Sequence, residues 1–215
     1  MIEKSPLFIA IEGPIGVGKT SLANYLASHY SAYLLKEIVY ENPFLDRFYE
    51  DVQKWSFQTE MFFLTNRYQQ LIDVQKQYLN QNFPVISDYH LIKSLIFSQL
   101  TLDLNHLTKF KQIYSILESD LSMPNVIIVL NASLETVIKR IKKRNRDFEQ
   151  NIDIRYLEML IESYHQFVTT LKRTSQVPII ELDGDYYDFV KNPEDLQEII
   201  AKVDLMIHKE AHNED

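Results

Sequence analysis

Gly13-Pro14-Ile15-Gly16-Val17-Gly18-Lys19-Thr20 decides the fold: it matches G-x-x-x-x-G-K-[ST] and follows the apolar run Leu7-Phe8-Ile9-Ala10-Ile11-Glu12. The run reads as a buried strand, and a helical pattern begins at Lys19. Glycines let backbone N–H groups turn toward an anion, and the N-terminus of the next helix favours negative charge there. Lys19 would reach the terminal phosphates of ATP, and the Thr20 hydroxyl would ligate Mg²⁺. Strand, loop and helix in this order set the segment apart from a chance glycine turn. Alone, it leaves both an NTPase and a kinase open.

Outward from the loop, short apolar runs alternate with longer helical stretches. Tyr33–Glu37, Pro84–Asp88, Val126–Leu130 and Pro178–Leu182 read as four further strands. Helices are expected over Lys19–His29, Lys54–Leu79, His90–Gln99, Leu104–Ser119, Leu134–Arg144, Arg155–Thr174 and Pro193–His208. Ser133 with Glu135 forms a capped start, and Asn192-Pro193-Glu194 another. The alternation predicts an α/β fold, a doubly wound parallel five-stranded sheet, as a single domain over 1–215. The polar tail from His208 is expected to fray.

Composition narrows the class. Of 215 residues 46% are hydrophobic and 24% charged, which suits a soluble globular domain. Cysteine is absent, which excludes disulfides and thiol chemistry and fits a cytoplasmic setting. Neither a signal peptide nor a membrane span is expected. The net charge of −8 argues against nucleic acid as a partner.

IEGPIGVGKTSL at 11–22 is followed in order by LLKE at 34–37, FYEDVQKWSF at 48–57, VISDYH at 85–90, RIKKRNRDFE at 140–149 and IRYLEMLIESYHQF at 154–167. Together, over nearly the whole chain, these segments resemble the deoxynucleoside kinases, the group containing deoxycytidine and deoxyguanosine kinases, and within it the bacterial deoxyguanosine type. The resemblance implies a P-loop kinase fold with a short arginine-rich lid at about 140–150.

It also implies roles. Glu37 would be the general base for the sugar 5′-hydroxyl, a task that suits a carboxylate facing a neutral alcohol. The family usually has Glu-Pro there, and this chain has Glu37-Ile38. The Tyr49 hydroxyl would hold the 3′-hydroxyl and Trp55 would pack beside the base; the plain alternative for both is core packing. Asp88 resembles a magnesium-organising carboxylate. The family follows this acid with Arg-Ser, and Asp88-Tyr89-His90 here leaves open which cation replaces the arginine. Arg140, Arg144 and Arg146 resemble the catalytic arginines of the lid, Arg144 also contacting ATP, and Glu149 the lid acid on the sugar hydroxyl. Arg67 resembles an arginine that contacts the base or steadies the side chain reading it.

Glu60 carries the base reading. Related kinases commonly have Gln at this position, an amide that matches adenine or cytosine with one donor and one acceptor. A carboxylate offers only acceptors, and guanine presents two adjacent donors, N1–H and N2–H₂. Guanine preference follows, provided that Glu60 and not Gln58 faces the base, since residues two apart on a helix do not share a face.

Asp183-Gly184-Asp185 follows the fifth strand and could turn near the ATP adenine, or be a plain tight turn. His208 and His212 stand four apart, but no third ligand is near and chance spacing is the better reading. The leading reading is a deoxynucleoside 5′-kinase using ATP and Mg²⁺ on a purine substrate, deoxyguanosine first. The alternatives are a deoxyadenosine or broad-specificity kinase, a nucleoside monophosphate kinase lacking a visible cation set for its acceptor, or a nucleotide switch, which would show an N-K-x-D segment absent here. The resemblance implies a homodimer or a hetero-oligomer with a sister kinase.

Overall fold

The computed structural model describes residues 6–39, 41–146, 149 and 152–213, with side chains through 208. Lid residues 147, 148 and 150 and the side chain of His212 therefore lie outside the described part. Five strands, β1 (Phe8–Glu12), β2 (Tyr33–Leu35), β3 (Val85–Ser87), β4 (Val126–Asn131) and β5 (Ile179–Asp183), form one sheet. Every pairing is parallel and the order is β2-β3-β1-β4-β5. β1 lies at the centre with every residue buried, as a strand covered on both faces must.

β2 is shorter than expected and stops before Glu37. The Glu37 N–H leaves the ladder and donates to Asp88 Oδ1 at 2.8 Å, while Asp88 N–H takes the Leu35 carbonyl at 3.0 Å. Two residues with candidate chemistry are thereby crossed at the C-terminal edge of the sheet.

The helices are α1 (Lys19–His29), α2 (Leu45–Glu50), α3 (Val52–Gln77), α4 (Lys93–Thr101), α5 (Leu104–Glu118), α6 (Leu134–Arg144), α7 (Ile154–Thr174) and α8 (Pro193–Asn213). Carboxylate or hydroxyl caps start four of them: Asp51 for α3, Asp103 for α5, Ser133 for α6 and Asp153 for α7. The six-residue α2 was not foreseen, being too short to show a helical period. α4 starts at Lys93 and not His90, because the His90 N–H goes to the Glu12 carboxylate at 2.6 Å and the next residues close tighter turns. α8 continues to Asn213, beyond the expected end at His208, with no Gly or Pro to stop it. Among the described residues no helix is long and apolar enough to cross a membrane.

α1, α6 and α8 cover one face, where Leu22, Leu26, Val137, Ile199 and Val203 pack on Ile9, Ile11, Ile128 and Leu182. α3 and α5 cover the β3 side of the other face through Leu64, Leu71, Val74, Phe110 and Tyr114, and α7 covers its β4 side through Val168. The sheet thus presents the C-terminal ends of its strands to one crevice. Leu26→Ala, at a fully buried position on α1, should lower the unfolding free energy by about 2–5 kcal/mol in urea titrations.

Candidate active site

A cleft of about 970 Å³ opens at that edge. Ile15, Gly16, Val17, Gly18, Lys19 and Thr20 of the phosphate loop line it together with Glu60, Tyr156 and Gly184. The loop curls tightly. Gly13 has φ +146°, and a β-carbon there would stand 2.3 Å from the Leu130 carbonyl oxygen; no other residue fits. Lys19 Nζ folds back onto the Gly13 and Pro14 carbonyls at 2.7 and 2.8 Å. Burial, then the neighbouring Lys93 charge, lowers the Lys19 pKa to about 7 against the pull of Glu37, Glu12 and Asp88.

Asp88 ties the edge together. Its Oδ2 accepts from Thr20 Oγ1 at 2.7 Å and its Oδ1 from the Glu37 N–H. The Thr20 hydroxyl and the Asp88 carboxylate, both expected from the sequence at a metal, are therefore neighbours. Among the described residues no group of three His, Cys, Asp or Glu could hold a metal. Two hard oxygens with room for phosphate oxygens fit Mg²⁺, which rarely uses an all-protein cage.

Glu37 is clasped by two cations. Arg67 Nε and Nη2 both donate to Oε1, at 2.9 and 2.6 Å, and Lys93 Nζ donates to Oε2. Burial alone would raise the Glu37 pKa, but Lys93 and then Arg67 outweigh it and hold it at about 2. Arg67 is steadied by Ser94 Oγ at 2.7 Å. Its direct bonds thus go to Glu37 and Ser94, and it acts on Glu60 through its charge.

Glu60 is 2% exposed and lines the cleft, whereas Gln58 faces solvent. Glu60 Oε1 accepts from Thr101 Oγ1 at 3.1 Å, while Oε2 has no partner among the described residues. Burial raises the Glu60 pKa to about 7, opposed by Arg67, the Thr101 hydrogen bond and Lys93. Tyr49 also lines the cleft, and burial together with the Glu149 and Glu60 charges keeps its phenol neutral. Trp55 does not line it. It stacks on Phe44, with Arg47 and Lys54 against its ring. Five residues of helix turn Trp55 about 140° away from Glu60, so the two cannot flank one base.

Arg140 is more a strut than a free lid arginine, with Nη1 on the Val17 carbonyl and Nη2 on the Gly184 carbonyl, each at 2.7 Å. Arg144 pairs with both Glu149 oxygens, and Arg146 lies 3.5 Å from Glu149 Oε1. Gly184 and Asp185 line the cleft, but Asp183 does not. Asp183 closes the turn by accepting the Asp185 N–H, and Asp185 accepts from the Ser133 N–H and hydroxyl.

Residues 9–208 match the family described as deoxynucleoside kinase. The sequence is 46% identical over 201 residues to the deoxyguanosine kinase of Bacillus subtilis (strain 168), covering 93% of this chain and 97% of that one. The chain belongs to the deoxynucleoside kinase family. Against the deoxyadenosine kinase of Dictyostelium discoideum the identity is 32% over 89% of this chain and 77% of that protein. The structure of the deoxyadenosine kinase from M. mycoides with bound dATP superposes with a TM-score of 0.79 at 26% identity, over 92% of this chain and 100% of that one.

In this kinase three site residues escaped the sequence reading. Glu12 ends β1, 3% exposed, accepting from the His90 N–H and from the Tyr164 hydroxyl at 3.2 Å; burial raises its pKa. Thr101 supports Glu60. Lys93 is 6% exposed and looked like an ordinary helix lysine, though its setting in LIKSLIF was a signal, since lysines seldom sit among apolar neighbours unpaired. His90 is a packed histidine, held neutral by burial with its pKa lowered to about 4. Arg140→Ala removes two charge-assisted bonds between separate loops. It should cost about 1.5–3 kcal/mol of unfolding free energy by urea denaturation.

Proposed function

We propose that the chain transfers the γ-phosphoryl group of ATP to the 5′-hydroxyl of a purine 2′-deoxynucleoside, deoxyguanosine before deoxyadenosine. The observation that carries the base choice is Glu60, a buried carboxylate that lines the cleft and has one oxygen without a partner among the described residues. Ionised, it accepts from guanine N1–H and N2–H₂ together. Adenine would set its N1 lone pair against the same charge, and sites built on buried hydrogen bonds reject such a partner strongly.

Lys19 turns from its own loop carbonyls to the β- and γ-phosphates, which restores its full charge. Thr20 and Asp88 hold Mg²⁺, which when bound neutralises charge on the β- and γ-phosphate oxygens. Tyr49 and Glu149 hold the sugar hydroxyls. Glu37 accepts the proton of the 5′-hydroxyl as the O5′–P bond forms and the bond to the ADP oxygen breaks. The cations that make Glu37 a weak base also keep it ionised and aimed, so positioning and electrostatics carry the rate. Arg144 and Arg146 exchange Glu149 for the phosphates as the lid closes. The reaction recovers a free deoxynucleoside as its monophosphate, a salvage step that we assign to the cytoplasm. By the same family resemblance the enzyme assembles as a dimer.

A second substrate follows from the state of Glu60. A protonated carboxyl has one donor and one acceptor, the pattern of an amide, and pairs with adenine N1 and N6–H₂. With a pKa of about 7, the acid form grows as the pH falls below neutrality. Relative kcat/KM for deoxyguanosine over deoxyadenosine should therefore rise as the pH goes from 6 to 8, and Glu60→Gln should abolish that trend. The same substitution should move preference toward deoxyadenosine by on the order of 100-fold. Rates for deoxyguanosine, deoxyadenosine, deoxycytidine and thymidine with Mg-ATP provide the test. A wild type that prefers deoxyadenosine at every pH refutes the role of Glu60, and phosphorylation of monophosphates alone refutes the acceptor.

A further inference from the structure

Which oxygen of Glu37 can take a proton is decided by its two cations. Oε1 receives two N–H groups from Arg67, whose third contact, to Ser94, locks the guanidinium in place. Among the described residues, Oε2 is covered by Lys93 alone. A planar guanidinium fixed at three points does not move readily, whereas an ammonium on a four-carbon stem swings at small cost. Oε2 is thus the proton-accepting oxygen, and Lys93 stands on it.

Lys93 lines the same cleft as Lys19, the lysine of the phosphate loop. A buried ammonium is retained where a negative partner meets it. Arg67 stays on Oε1 by two hydrogen bonds, so Glu37 keeps a counter-ion when Lys93 is drawn to an arriving phosphate.

We propose that Lys93 is a catalytic residue of phosphoryl transfer: as ATP and nucleoside fill the cleft, its ammonium leaves Glu37 Oε2 for an oxygen of the transferring phosphoryl group. One movement does two things. It places positive charge where charge spreads in the transition state, and it uncovers Oε2 for the proton released as the O5′–P bond forms and the bond to the ADP oxygen breaks. Lys93 thereby supplies a cation near a β3 end that reads Asp88-Tyr89-His90, with no arginine after the acid. The inference rests on the assignment of Glu37 as proton acceptor.

Three purified variants test it: Lys93→Met, Lys93→Arg and Glu37→Gln, with kcat at saturating Mg-ATP and deoxyguanosine, and deoxyguanosine affinity by equilibrium binding. Lys93→Met should lose about 100- to 1,000-fold in kcat, the range for removing one transition-state donor, with deoxyguanosine affinity within about fivefold of wild type. Lys93→Arg should recover at least about tenfold of that loss, because it restores the charge. If Lys93→Met keeps kcat within tenfold while Glu37→Gln is inactive, Lys93 is not catalytic and the base assignment stands. If both variants stay active, the base assignment itself is wrong. Loss of deoxyguanosine binding in Lys93→Met, or failure of Lys93→Arg to recover activity, would show that Lys93 only holds the pocket together and would overturn the inference.

Discussion

One carboxylate crosses the three segments on which the site is built. Asp88 follows β3, accepts from Thr20 at the start of the helix after β1, and accepts from the backbone of Glu37 after β2. These bonds join the ends of adjacent parallel strands that no ladder hydrogen bond reaches. They hold the glycine-rich loop at a fixed distance from Glu37, the proposed proton acceptor. Such spacing is what a phosphoryl transfer demands of its scaffold, since the chemistry itself needs little more than alignment and charge.

Around that knot the protein buries an unusual density of charge: Glu12, Glu37, Glu60, Asp88, Arg67 and Lys93 are all nearly inaccessible. Buried ion pairs seldom add stability over apolar packing, because desolvation offsets their attraction. Their value here is preorganisation. Ionised groups pinned by one another keep their geometry without solvent, and the field they set up is in place before any ligand arrives. A chain with net charge −8 can in this way welcome an anionic nucleotide, because the cations that matter lie inside the cleft and the excess acid outside it.

Elements and residues governed by local rules were readable from the sequence. The phosphate loop was legible because only glycine tolerates its backbone at Gly13, and the order of strands because each is a short apolar run between helical stretches. Glu60 was singled out by donor and acceptor counting; it is buried, whereas Gln58 two residues earlier is exposed. Trp55 was misplaced because neighbourhood in sequence was read as neighbourhood in space, against the phase of its helix. Lys93 was missed for the opposite reason. Nothing within its own segment points to Glu37, 56 residues earlier; their meeting exists only once β2 and β3 lie side by side. Arg140 was given to the lid, yet its two carbonyl partners come from loops far apart in the chain, and no pattern announces them.

The pairing of Arg144 with Glu149 has a further consequence. These residues stand five apart at the end of α6, each the other's principal counter-charge, with Arg146 in reserve at 3.5 Å. The helix behind them is pinned in its middle by Arg140. In the proposed mechanism an anion that draws Arg144 away would leave Glu149 with Arg146 as its neighbour. The pair would then act as a relay, in which occupancy on one side of the cleft sets the charge offered on the other.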